Sequence, residues 1–351
     1  MTQINDALRH LEKDMAEILE VIQDKRTTEV ILNPYKNIDG SYEGHILVER
    51  HGEQLKNLHK IMNDGSSEIV KMSATKAETI MSVLASITGK FIHNKNPYLE
   101  CQIPRYGHRF TGVIPPASVF PAFCIRRHSS LVYSLDDFVN QGILSATSRD
   151  TLISWIRRKF NILIAGGTGS GKTTLANAIL YEISKIFPES RMLIIEDVPE
   201  LQFDTSRSIA FTINEFFSMY EALRTTLRFK PGRIIMGEVR GAEAYTLLKA
   251  WNTGHPGGVA TIHANGVKEA LHRFEGCIAD HVSARVNRKE IGFTINGIIS
   301  IQNMTIRKDI GGDYQNTTQR KVTALRQILQ YDAEKDIYQD IIFDKFEESF
   351  D

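Results

Sequence analysis

The chain has 351 residues, with 42 Lys and Arg against 42 Asp and Glu, so its formal charge is zero. At about 150 residues per domain, that length suggests two domains, each able to bury its own core. The neutral balance argues against a protein that coats nucleic acid through bulk charge. Three cysteines, Cys101, Cys124 and Cys277, are too scattered for a disulfide framework or a zinc site with C-x-x-C spacing, and they read as buried thiols in a reducing compartment. The polar start, Met1 to Asp6, does not resemble a secretory signal, and no run approaches the ~18 consecutive apolar residues of a membrane span. A soluble, cytoplasmic protein is expected, with any membrane contact peripheral.

From Ile4 to Ile22 the residues Leu8, Leu11, Met15, Ile18, Leu19 and Ile22 recur at steps of three and four, which predicts one amphipathic helix facing a core. Its polar face lacks the Lys/Arg richness of a membrane-surface helix. Short apolar runs at Val30–Leu32 and Ile46–Val48 read as strands, with Asn33-Pro34 and Asp39-Gly40 as turns. A second helix is expected over Ala74–Ile87, ending at Gly89, followed by strands near Tyr98–Ile103 and Arg109–Ile114. This first region reads as a smaller α+β domain, 1–114. The prolines at 115, 116 and 121 favour extended backbone over Pro115–Arg127, and 115–134 reads as the linker.

After the linker the pattern changes. Strands at Asn161–Ala165, Met192–Ile195, Ile209–Ile213, Arg233–Met236 and Gly258–Ile262 alternate with helices at Lys172–Ile186, Glu215–Leu227, Ala242–Asn252 and Val267–Asp280. Such βαβ alternation implies an α/β domain over 135–351 with a largely parallel sheet covered on both faces. Strand-like runs at Ile298–Ile301, Val322–Tyr331 and Ile337–Phe343 close the chain, with Gly311-Gly312-Asp313 as a hairpin turn.

The chemistry starts at Gly166-Gly167-Thr168-Gly169-Ser170-Gly171-Lys172-Thr173, followed by Thr174. The segment fits G-x-x-x-x-G-K-[ST] and lies between a strand and a helix, the context the motif requires. Glycines let successive N–H groups converge on phosphate oxygens, and the helix N-terminus adds its positive dipole end. Lys172 supplies a charge to the β- and γ-phosphates, and the Thr173 hydroxyl can ligate Mg²⁺. No guanine-reading Asn-Lys-x-Asp lies downstream, so ATP is the expected nucleotide.

Three further segments follow in order. In Leu193–Leu201 a strand runs into Glu196, Asp197 and Glu200, at the ligand edge of a parallel sheet. Carboxylates there can order a Mg²⁺ shell or deprotonate a water, although an acidic turn is also commonly just solvated. In Arg233–Gly241 a second strand ends on Gly237-Glu238, so Glu238 alone carries the carboxylate function. Gly254–Asn265 frames a Gly-Gly strand with His255 and His263, a placement that suits a γ-phosphate sensor better than a purely structural histidine. Arg109, Arg126, Arg127, Arg224, Arg228 and Arg240 offer guanidinium forks for phosphate, though an isolated arginine more often makes a surface ion pair.

Taken together, G-G-T-G-S-G-K-T-T, I-E-D-V-P-E-L, L-R-x-x-L-R-F-K-P-G-R-I-I-M-G-E-V-R-G and T-G-H-P-G-G-V-A-T-I-H-A-N resemble the Walker A, Asp, Walker B and His boxes of the type II/type IV secretion ATPases. Within that superfamily the chain is most similar to the TrbB-like conjugal-transfer ATPases of VirB-type type IV secretion systems, helped by R-F-T-G-V-I-P-P and F-C-I-R-R. The similarity runs from about Leu8 to Phe293. It implies a RecA-like ATPase domain, ATP and Mg²⁺ as cofactors, a homohexameric ring and inner-membrane components of a conjugation apparatus as partners, with no sequence-specific nucleic-acid binding. It further implies Lys172 and Thr173 on phosphates and Mg²⁺, Glu196 as catalytic carboxylate, Glu238 with Mg²⁺ and its water, and His263 at the γ-phosphate. Arg109 and Arg126 would reach that phosphate from the N-terminal domain. A type IV pilus extension or retraction ATPase, a P-loop small-molecule kinase and a DNA-translocating motor are the competing readings. The tail from Lys308 to Asp351 matches no motif.

Overall fold

The computed structural model of the chain describes residues 2–50, 53–62, 64–127, 132–203, 206–214, 216–281, 286–310 and 313–345. The chain forms two compact units, Met1–Ser130 and Leu131–Asp351.

In the first unit the expected single N-terminal helix is two, α1 (Thr2–Asp14) and α2 (Ala16–Gln23). Met15 leaves helical geometry at φ −101° and ψ 12°, but Leu19 N–H still donates to Met15 O at 2.8 Å. The apolar stripe therefore stays on one side, and Leu8, Leu11, Met15, Ile18, Leu19 and Ile22 are all buried in one cluster. Then come β1 (Thr27–Lys36), β2 (Tyr42–Arg50), β3 (Lys56–Asn57), β4 (His59–Ile61), β5 (Ser67–Ile69), β6 (Lys71–Met72), α3 (Ala74–Ile87), β7 (Tyr98–Gln102), β8 (Arg109–Val113) and β9 (Ala122–Arg126). The turn expected at Asn33-Pro34 is instead part of β1. Past Leu32 that strand pairs with β2 alone, so a residue without an N–H is tolerated there. The turn at Asp39-Gly40 is present, with Gly40 N–H on Asn37 O at 3.0 Å. Antiparallel pairing gives the order β3-β2-β1-β9-β8-β7, with β6 also on β2. The stretch 115–134, expected to be a linker, thus contains an internal strand of this sheet: β9 pairs with both β1 and β8.

The second unit opens with two helices that the sequence pattern did not reveal, α4 (Leu135–Asn140) and α5 (Ala146–Arg157). It continues with β10 (Ile162–Gly166), α6 (Lys172–Ile186), β11 (Met192–Glu196), β12 (Ile209–Thr212), α7 (Met219–Thr226), β13 (Arg233–Val239), α8 (Glu243–Asn252), β14 (Val259–His263), α9 (Val267–Ala279), α10 (Arg288–Thr294), β15 (Gly297–Ile310), β16 (Asp313–Asp332) and β17 (Ile337–Lys345). Helix α7 starts later than expected, because Ser218 and Glu221 form a capping box that fixes its first turn. Gly311 and Gly312 of the expected hairpin turn lie outside the described residues, while Ile310 and Asp313 pair on either side of them.

The sheet order is β12-β11-β13-β14-β10-β15-β16-β17; the first six strands are parallel and the last two antiparallel. This is the expected α/β architecture, with side chains alternating between two cores. Leu163, Ala165, Ile234, Met236, Ala260 and Ile262 pack toward α8 and α9, while Ile162, Ile164, Ile194, Ile235 and Val259 pack toward α5 and α6. Among the described residues, no helix is long and apolar enough to cross a membrane.

Buried Asn161 fixes where β10 begins. Its Oδ1 accepts from Gly257 N–H (2.9 Å) and Gly258 N–H (3.0 Å), its Nδ2 donates to Thr294 O (2.9 Å), and its own N–H donates to Asn296 Oδ1 (2.9 Å). It thereby joins the approaches to β14, β10 and β15. Asn161→Ala would leave two buried donors and an acceptor unpaired, so the second unit should lose about 2–4 kcal/mol of stability. Denaturant or thermal melts of the variant check this; an unchanged midpoint would contradict the joining role.

Candidate functional site

Strand β10 is buried along its whole length and ends at Gly166, from which the phosphate loop runs into α6. Gly169 and Gly171 adopt φ +70° and +97°, a left-handed backbone that only glycine takes without strain, and this curls the loop. Lys172 Nζ donates to Gly166 O and Gly167 O, each at 2.8 Å, and Ser170 Oγ donates to Gly167 O at 2.9 Å. Burial pushes the Lys172 ammonium below its ordinary value; Glu238 opposes the shift and Arg240 adds to it. Lys172 therefore sits within the field of the Walker B-like segment. Thr173 follows it, half-buried in the first turn of α6.

Neighbouring carboxylates at the end of β11 have opposite environments. Glu196 is 3% exposed, and its Oε1 accepts from the N–H groups of Glu200 (2.9 Å) and Leu201 (2.8 Å), while its Oε2 is buried without a hydrogen-bond partner. Burial pushes its pKa up to about 7 against those two bonds. Asp197 is more open, and its Oδ2 accepts from Arg240 Nη1 at 2.6 Å. The same guanidinium forks onto Glu238 Oε2, at 2.9 Å from Nε and 2.6 Å from Nη2. Sequence reading missed this Asp197–Arg240–Glu238 bridge, although each member stood in a segment it had singled out. Gly237 is small for a reason: a Cβ there would stand 3.1 Å from Glu196 Cγ.

Strand β14 lies between β10 and β13. Its register sets His263 opposite Gly166, and the histidine is exposed at the strand's C-terminal end. Thr261 Oγ1 donates to Gly237 O at 2.5 Å, bridging β14 to the irregular stretch of β13 just before Glu238. His255 is not part of this group; its ring contacts Pro231 O at 3.2 Å, near the start of the strands.

In the first unit, Arg109 and Arg126 are cross-strand partners on β8 and β9, so both project from one face. Each is paired with a carboxylate, Arg109 with Glu100 and Arg126 with Glu29 (Nε at 2.8 Å). Arg127 Nε donates to Ile22 O, and Arg224 lies over the Tyr220 ring.

The donor set suits a nucleotide with a hard cation: curled glycine backbone and Lys172 for phosphate, hydroxyl and carboxylate oxygens for Mg²⁺. Among the described residues no group of three or more His, Cys, Asp or Glu side chains is placed to hold a metal by itself.

The family model described as "Type II/IV secretion system protein" matches residues 24–325. The chain is 37% identical over 296 residues to the probable conjugal transfer protein TrbB of Sinorhizobium fredii, covering 84% of this chain and 85% of that protein. It is 30% identical over 263 residues to the type IV secretion system protein VirB11 of Bartonella henselae, covering 62% and 72%. The fold is similar to that of the Legionella pneumophila ATPase DotB, with a TM-score of 0.57 at 21% identity, covering 91% of this chain and 81% of that one. These findings bear out the similarity read from the four boxes and from the TrbB-like segments: the chain belongs to the type II/IV secretion system protein family.

Proposed function

We propose that the protein is the ATP-hydrolysing motor of a type IV secretion or conjugal DNA-transfer apparatus, acting as a cytoplasmic homohexameric ring at the inner membrane. The observation that carries this reading is the phosphate loop at the end of β10, with Glu238 and its Arg240–Asp197 bridge presented by a strand two places away in the sheet. The similarity to TrbB supports the choice of apparatus.

In this reading the amides of Gly166–Thr173, with Thr174 behind them, cradle the phosphates, and Lys172 exchanges its two carbonyl partners for phosphate oxygens. Bound Mg²⁺ would neutralise charge developing on the phosphates; Thr173, Glu238 and Glu196 would hold it, and Glu196 would also act on the water. Glu196 is built for that task, because a pKa of about 7 suits a general base near neutral pH and its Oε2 is uncommitted. His263, opposite Gly166, senses the γ-phosphate. Arg109 and Arg126 enter the site as a pair from the N-terminal domain when the ring assembles. The domain division follows the two compact units, Met1–Ser130 and Leu131–Asp351.

Lys172→Ala should abolish phosphate release while the circular dichroism spectrum stays native. Near-native turnover in that variant would remove the site assignment. Glu238→Gln and Glu196→Gln should retain nucleotide but lose turnover by about a hundredfold or more. The two differ in pH dependence. A base must be ionised to accept a proton, so wild-type kcat should fall as pH drops through about 7, and the residual rate of Glu196→Gln should lack that limb. Steady-state assays from pH 5.5 to 9 measure it; an unaltered limb in Glu196→Gln assigns the base elsewhere. Sedimentation with and without a non-hydrolysable ATP analogue tests the ring. A particle that stays monomeric at every concentration tried would refute it.

A further inference from the structure

The C-terminal hairpin, which carries no recognisable motif, brings a cation to the phosphate loop. Asn303 on β15 and Arg320 on β16 are directly opposed in the ladder, so both side chains leave the same face. Asn303 Nδ2 lies 3.5 Å from Gly169 O. Arg320 Cδ and Nε lie 3.2 and 3.6 Å from the point where a Cβ on Gly171 would stand, with Ile301 Cδ1 at 3.6 Å beside them. The residues flanking Arg320 are tied elsewhere: Gln319 Nε2 donates to Gln141 O at 3.3 Å, Lys321 Nζ donates to Gly142 O, and Val322 N–H donates to Ile143 O at 2.8 Å. Strand alternation then holds Arg320 against the loop.

Among the described residues its guanidinium has no carboxylate counter-charge. Arg149, Arg240, Arg288 and Arg326 of the same unit each contact a carboxylate. Among the described residues no ion pair or hydrogen bond engages Arg320, although it is half-buried. Burial pushes it below its ordinary value, with the Tyr133 phenol acting the other way. A partly desolvated cation without a partner is unfavourable by itself and becomes favourable when an anion arrives. The anion that the adjacent loop is shaped to hold is a phosphate, and a guanidinium fork matches its oxygens.

We propose that Arg320 is a nucleotide-binding residue, its guanidinium contacting the phosphates of the nucleotide held on Gly166–Thr173. This rests on the nucleotide reading of the loop given above. It makes the β15–β16 hairpin one wall of the site, with Asn303 steadying the loop from the same face.

The test is a titration of fluorescent mant-ADP and mant-ATP into the full chain, comparing wild type, Arg320→Ala, Arg320→Gln, Arg320→Lys and Lys172→Ala, with thermal melts run without nucleotide. Arg320→Ala and Arg320→Gln should weaken both nucleotides about tenfold, the cost of one charge-assisted contact. Arg320→Lys should recover part of the loss. Melts of Arg320→Gln and Arg320→Lys should stay at the wild-type midpoint, since both keep a long stem against Ile301. Wild-type affinity in Arg320→Gln, with weakened binding in Lys172→Ala, overturns this inference alone and leaves the loop as the nucleotide site. Normal binding in Lys172→Ala, or none in wild type, overturns both.

Discussion

The whole site depends on β10 being held on both edges. Its five residues pair with β14 on one side and the first four pair with β15 on the other, and both faces are covered by apolar side chains. A strand so confined cannot slip or tilt, because a one-residue shift would exchange the two cores. Gly166 therefore leaves the sheet at a fixed point and direction. With β14 between β10 and β13, the loop and Glu238 are separated by two strand spacings, about 9–10 Å. His263 stands on the strand in the middle of that gap.

The carboxylates beside that gap divide by solvation. Glu196 turns inward and uses one oxygen to hold two amides of the following loop; it is kept near neutrality by burial rather than by a partner. Asp197, one residue on, is more open and meets Arg240. The Arg240 side chain is 56% exposed, so its pairs with Asp197 and Glu238 are screened and worth at most about 1 kcal/mol each. Such a bridge orders the two carboxylates at little energetic cost when it opens.

The central strands were legible because burial on both faces demands continuous apolar runs, and Ile162–Ala165, Met192–Ile195 and Ile234–Met236 supply them. Boundaries were harder wherever a local signal was overruled. Pro34 reads as a turn until its strand is seen to lack a second neighbour at that point, and Met15 reads as mid-helix because the burial stripe passes through it unbroken. The hairpin was only half legible. Val322, Leu325 and Ile328 mark its buried end, but from Gln302 to Lys321 polar residues predominate and give no apolar alternation to read. At the site, the loop and Glu238 announced themselves by residue type. Nothing in the sequence could say that Glu196, not Asp197, is the buried carboxylate, since that depends on where β11 leaves the sheet.

The arginines fall into two kinds by their counter-charges, and the distinction bears on how a motor of this family could respond to nucleotide. Arg109 and Arg126 are already committed to Glu100 and Glu29, in pairs whose members are 22–48% exposed. Pairs so exposed are worth little, so in the reading proposed above these arginines can exchange their carboxylates for phosphate oxygens at small cost. Arg320 lies within the same compact unit as the phosphate loop and has no carboxylate to give up among the described residues. Its contribution is present whenever nucleotide is bound, whatever the first unit does. In the reading proposed above, a site furnished with both kinds separates holding the nucleotide from sensing the domain arrangement.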